Sequence, residues 1–143
     1  MNLATVTSDS KSDQGLTVKT SIRDFELTND EPSDMGGEDQ GPTPMEMILA
    51  GLGSCLCIMS KMTAKKLKLN LESVSVHLEG DFDRKAVGGA RNAKPGFQNI
   101  RADIDLNGEL SEEEKTKIMN KVEQTCPVTD TLKSGTEINI NIK

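Results

Sequence analysis

The sequence predicts an antiparallel α+β fold, and three observations predict it. Two segments, "SVSVHLEGDFD" at 73–83 and "FQNIRADIDL" at 97–106, alternate apolar and polar residues with the period of a half-buried strand. Met45 to Met62 is apolar on nearly every face, which is the pattern of a helix buried centrally. The strands are joined by hairpin links and not by the long helical crossovers that a parallel sheet needs.

Taken in order, "NLATVTS", "GLTVKTSI" and "DFELTND" read as short strands of a meander, with "DSKSDQG" as the first turn. "DEPSDMGGEDQGPTP" follows as a loop too specific in composition to be a flexible linker, and Pro42 and Pro44 set the chain to enter a helix. That helix runs from 45 to about 67 and places Lys65, Lys66 and Lys68 where cations suit a C-terminus. Gly51 and Gly53 each cost roughly 1 kcal/mol against alanine in its interior, so close approach of another backbone is expected beside them.

The strand at 73–83 turns Val74, Val76 and Leu78 to one side and Ser75, His77 and Glu79 to the other. Its partner turns Ile100, Ala102, Ile104 and Leu106 inward, and "DRKAVGGARNAKPG" between them is a long hairpin loop carrying solvated charge. "SEEE" at Ser111 is a capping box that starts a second helix with an Ile118, Met119 and Val122 stripe. Pro127 ends it. "TLKSG" is a turn, and "TEININIK" is a last strand with Ile138, Ile140 and Ile142 on one side.

A chain of 143 residues makes a single domain, 1–143. Three phenylalanines and no tyrosine or tryptophan leave few large side chains for a core, so additional burial by self-association is expected. The net charge of −6 offers no basic face for nucleic acid. No signal peptide is visible, and the apolar run at 45–59 is interrupted by Glu46 and shorter than the roughly 20 residues of a bilayer span. A cytoplasmic protein without membrane partners is expected. In a reducing compartment its three cysteines point to reactivity or burial sooner than to a permanent disulfide.

Cysteine is a common core residue, and simple filling of the core is the bland account of Cys55 and Cys57. Two positions on a helix differ by about 200°, so these two face opposite ways and can neither pair nor chelate one ion. A zinc site from Cys55, Cys57, Cys126 and His77 is therefore not expected, and His77 reads as a solvent-facing strand residue. Cys126 differs, because it sits at the chain reversal before Pro127. A thiol there that faced Cys55 would meet the requirement of a two-cysteine cycle, in which a thiolate attacks an O–O bond, becomes sulfenic acid and condenses with a second thiol.

"LTNDEPSDMGGEDQGPTPMEMILAGLGSCLCIMSKMTAKKLKL" and "QTCPVTDTL", with about 70 residues and two strands between the cysteines, closely resemble the OsmC/Ohr superfamily of osmotically induced and organic-hydroperoxide-resistance proteins. The resemblance covers residues 27–143 in order. It implies an OsmC-like fold with antiparallel sheets around two central helices, an intertwined homodimer, and active sites at the subunit interface. It also implies Cys55 as the peroxidatic and Cys126 as the resolving cysteine, no bound cofactor or metal, and an external dithiol reductant of lipoyl type. The peroxidases of this family carry a glutamate ten residues before the first cysteine, where this chain has Met45, with Glu46 one position later. They also carry an arginine in the first hairpin turn; here that turn has only Lys11, and Arg23 lies further on.

Two functions follow as expectations. One is thiol-dependent reduction of organic hydroperoxides in oxidative-stress defence, through Cys55 and Cys126 with Glu46, Arg23 or Lys11 in support. The other is a binding or redox-sensing protein without catalysis, holding a small apolar ligand against Met45, Ile48, Leu52 and Met59.

Overall fold

A computed structural model describes residues 1–143, which form two compact units, Met1–Ile48 and Leu49–Lys143. The fold is α+β with two antiparallel sheets.

The first unit holds β1 (Asp9–Lys11), β2 (Val18–Ile22) and β3 (Phe25–Asn29), in the order β1-β2-β3. Ser10 pairs with Thr20 and Thr20 with Leu27, so polar residues occupy the centre of this small sheet. The expected first strand at 2–8 is not formed; the ladder starts inside "DSKSDQG", the segment expected as a turn. Hydroxyl pairing explains the shift, since Ser10 Oγ and Thr20 Oγ1 lie 2.7 Å apart across the ladder.

After β3 the chain folds back on itself. Asp30, only 2% exposed, accepts from the Thr17 hydroxyl at 2.7 Å and from the amides of Glu31 and Gln40. The Asp30 amide in turn donates to the Pro42 carbonyl at 3.3 Å. Gly41 is required there, because a Cβ would collide with the Thr28 carbonyl. The composition of the loop is thus explained by close backbone approach.

Helix α1 (Pro44–Lys66) starts in the first unit and continues into the second. At 23 residues it is longer than the apolar run at 45–59, and long and apolar enough to cross a bilayer by length and composition alone. Only its Leu52, Leu56, Ser60, Thr63 and Ala64 are buried, whereas Ile48, Ile58 and Met62 are exposed, so the single chain buries one face of a helix expected to be buried on nearly every face.

In the second unit β4 (Asn70–Phe82) and β5 (Phe97–Glu109) form a long hairpin, with Val74 opposite Leu106 and Val76 opposite Ile104. The loop between them holds the one-turn helix α2 (Arg84–Val87), and Phe82 meets Phe97 edge to face at the hairpin's end. Ala102 is exposed, unlike its inward neighbours Ile100, Ile104 and Leu106. Helix α3 (Glu112–Thr125) begins with both halves of the Ser111–Glu114 capping box.

Leu52, Leu56, Ala64, Leu106, Ile118, Val122 and Cys126 form the core of this unit. Gly53 allows Leu78 of β4 to approach α1, a side chain where a backbone was expected, and Gly51 has nothing within 4 Å. Two further expectations fail. "TLKSG" belongs to a fourth helix, α4 (Pro127–Ser134), because Pro127 both ends α3 and provides the first residue of the next helix. "TEININIK" forms no strand, and Ile138, Ile140 and Ile142 are 79%, 86% and 97% exposed.

Candidate functional site

Helix α3 delivers Cys126 to the site. Its stripe of Ile118 and Val122 is completely buried, and the Cys126 amide donates to the Val122 carbonyl at 2.8 Å. Helix α4 then fixes the thiol. Cys126 is the N-cap of α4, and its Sγ accepts from the Thr129 amide at 3.5 Å. This is the position that serine or aspartate commonly fills, where an acceptor relieves the unpaired amides of the first turn and the positive end of the helix favours a negative charge.

From α1 comes Cys55, half-buried and packed against the core. The Sγ atoms of Cys55 and Cys126 lie 3.0 Å apart, and both thiols are free. A disulfide needs about 2.05 Å, so roughly 1 Å of closure would join them. Cys57 turns away as helical rotation demands, toward the Val74 carbonyl at 3.9 Å.

The two thiols are electrostatically unequal. At Cys55, burial and then the hydrogen bond with Cys126 push the pKa up, against a smaller lowering by the Val128 backbone. At Cys126, burial also raises the pKa but is outweighed by the Cys55 hydrogen bond, the Thr129 hydroxyl and the backbone of Thr129 and Val128. Its pKa falls below the ordinary thiol value. Cys126, at the start of α4, is thus the more acidic member of the pair. Helix N-terminal donors do here what a neighbouring cation does at many reactive cysteines.

The other expected residues have local partners. Lys11 pairs with Asp13 at 2.9 Å, and the Arg23 guanidinium lies 4.9 Å over the Phe25 ring. Glu46 closes a capping box: its carboxylate accepts from the Thr43 amide at 2.7 Å, and the Thr43 hydroxyl accepts from the Glu46 amide. Met45 is half-buried and Ile48 exposed, both in the first unit. Leu52 lies in the core, and Met59 packs against it from α1. Thr129 and Val128 escaped sequence reasoning, although Pro127 directly after Cys126 is a helix-start signal.

The sequence profile of the OsmC-like protein family matches residues 37–141. The chain belongs to this family. No curated protein matches the sequence. Solved structures give the OsmC-like fold independent support. An OsmC-like protein of Mycoplasma pneumoniae superposes with a TM-score of 0.79 at 18% identity, over 98% of this chain and 96% of that one. An organic hydroperoxide resistance protein OsmC of Legionella pneumophila gives 0.69 at 21% identity, over 93% and 92%. An organic hydroperoxide resistance protein of Elizabethkingia anophelis gives 0.72 at 18%, over 94% and 91%. In this OsmC-like chain, Cys55 and Cys126, both within the matched residues, are the thiols that stand in contact.

Proposed function

We propose that the protein reduces organic hydroperoxides with Cys55 and Cys126, and that an external dithiol restores the pair. The observation that carries this reading is the 3.0 Å contact between a half-buried thiol and one that caps a helix. Names of structural relatives point the same way, since two of them are organic hydroperoxide resistance proteins.

In the proposed cycle Cys126 is the charged partner and Cys55 the accessible one. Cys126 is 1% exposed, so the substrate meets Cys55. As the Cys55 sulfur attacks the terminal oxygen of the hydroperoxide, its proton passes to Cys126 and the O–O bond breaks. The alkoxide leaves and takes up from solvent the proton that Cys126 released on ionising, while Cys55 becomes sulfenic acid. The Cys126 sulfur then attacks the sulfenic sulfur, and its proton leaves with the hydroxyl group as water. One hydroperoxide and two thiols thus give one alcohol, one water and one disulfide. A lipoyl-type dithiol reduces that disulfide by thiol exchange. Cys126 supplies the base that a nearby cation would otherwise make unnecessary.

We further propose that the working form is a homodimer. The first unit buries no apolar side chain fully, and its buried side chains are Thr20 and Asp30. In the second unit Ile58 and the three C-terminal isoleucines face outward, and Gly51 meets nothing. A second copy supplies the contact these groups lack.

A second reading, ligand binding or redox sensing without turnover, is favoured by the local engagement of Glu46, Lys11 and Arg23. The deciding assay supplies an alkyl hydroperoxide and a dithiol to wild type, Cys55→Ser and Cys126→Ser. Turnover in the wild type is expected, with none in Cys55→Ser and a trapped sulfenic acid in Cys126→Ser. Equal turnover in wild type and Cys55→Ser would end the proposal. Disulfide formation without turnover would favour the sensor.

A further inference from the structure

We propose that the groove between the last turns of α1 and the end of α3 binds a single-chain anionic amphiphile, a carboxylate with an unbranched alkyl tail. The groove encloses about 300 Å³, at the lower end of the range for small-molecule sites, roughly 300–1,000 Å³. It lies wholly within the second unit.

Its floor is apolar. Met59 and Leu67 pack against the core, and Met62 stands half-exposed beside them. Two thioethers lining an open slot conform readily to an alkyl chain, because methionine is unbranched and polarizable. The rim is cationic, with Lys66 from the last turn of α1 and Lys117 and Lys121 from α3. Lys117 and Lys121 are four residues apart and share a helix face. All three are exposed, and none belongs to an ion pair of the chain. The remaining lining residues are neutral threonine, asparagine and glutamine, so no carboxylate answers the three ammonium groups.

Lysines on a helix surface are ordinarily solvated, with stems laid along apolar neighbours. What selects an occupant here is the pairing of an uncompensated cationic rim with an apolar floor that stays open. A neutral alcohol satisfies the floor alone, and a small anion satisfies the rim alone. An alkyl carboxylate satisfies both, and its single charge suits ammonium groups, which act as point charges. The occupant also lies beside the thiols in the fold, since Met59 follows Cys55 by one helical turn and Thr125, another lining residue, precedes Cys126. Binding itself needs no thiol chemistry and stands apart from the proposed redox cycle.

The test uses the full-length protein with methionine methyl groups labelled for NMR, titrated with decanoate, decanol and acetate. Decanoate should move the Met59 and Met62 methyl signals and bind about tenfold more tightly than decanol, while acetate leaves those signals in place. Added salt should weaken decanoate binding and spare decanol. The double variant Lys117→Glu, Lys121→Glu should weaken decanoate binding by about tenfold or more, with the other methyl signals unmoved as a check on folding. Equal affinity for decanoate and decanol, or an unaffected double variant, would overturn the proposal. So would Met59 and Met62 signals that respond to protein concentration alone, an outcome that assigns the groove to a second copy.

Discussion

The two units of this chain are ordered by opposite means. The second is built on seven buried core residues, with Ile118 and Val122 wholly excluded from solvent. The first has no such cluster, and its buried side chains are the hydroxyl of Thr20 and the carboxylate of Asp30. A net hydrogen bond contributes about 1 kcal/mol, whereas a buried aliphatic side chain contributes roughly 1.5–3 kcal/mol. Chemistry that depends on sub-ångström placement accordingly belongs in the second unit, where the thiols stand. Lys11, Arg23 and Glu46, the residues expected to support the thiols, all belong to the unit held by polar contacts.

Core deletion tests the contrast most directly. Ile118→Ala should destabilise the second unit by about 2–5 kcal/mol, read as a lower denaturant midpoint. A loss below about 1 kcal/mol, the size of one hydrogen bond, would mean that the core is not what orders this unit. The matching change in the first unit is Asp30→Ala. It should abolish exchange protection at the Glu31 and Gln40 amides and leave the α3 amides protected. Unchanged protection would remove Asp30 as the anchor of its loop.

Acid should act on the same contact. The Asp30 carboxyl is held below the ordinary carboxylate range, chiefly by the Thr17 hydroxyl and against the opposing effect of burial. Its stabilisation is therefore complete above the unfolded pKa of about 3.9 and disappears as pH falls through the lower folded value. Protection of the loop amides, followed downward in pH, should fail at that point, earlier than protection in α3.

Legibility in the sequence follows the same division. Where burial decides, the pattern is plain: Val74, Val76 and Leu78 share a face, α1 runs nearly as its apolar stretch indicates, and Ser111 starts α3. Where polar contacts decide, it is not. Register in the first sheet follows a Ser10–Thr20 hydroxyl pair that no apolar alternation announces. Strand character in "TEININIK" is a real propensity, but a strand also needs a partner, and the single chain offers none. At the site, both cysteines were marked by their motifs. Their unequal acidity was hidden, because it arises from backbone amides at the start of α4, and Pro127 reads as an end as readily as a beginning.

A smaller effect should sharpen the account of the thiols. Reduced protein, followed by thiolate ultraviolet absorbance, should titrate in two macroscopic steps belonging to the pair, one below the ordinary thiol range and one above it. Thr129→Val removes the hydroxyl beside Cys126 while leaving the backbone amide. The lower step should then move up, and peroxide reactivity at neutral pH should fall with it. A titration that Thr129→Val leaves untouched would separate the acidity of the pair from the start of α4.

The smallest expected effect falls on Glu46, and it discriminates between two roles. As a capping-box residue its carboxylate satisfies the Thr43 amide, while the Thr43 hydroxyl satisfies the Glu46 amide. Thr43→Ala should therefore cost about 1 kcal/mol of helix stability, and Glu46→Gln, which keeps an acceptor for the same amide, still less. Neither change should move the lower thiol step. If Glu46 instead supported the thiols by charge, Glu46→Gln would shift that step and depress hydroperoxide turnover while Thr43→Ala left both alone. Comparing these two variants in one titration and one melting series asks whether a carboxylate nine residues before Cys55 serves the helix or the sulfur. The paired hydrogen bonds to Thr43 favour the helix.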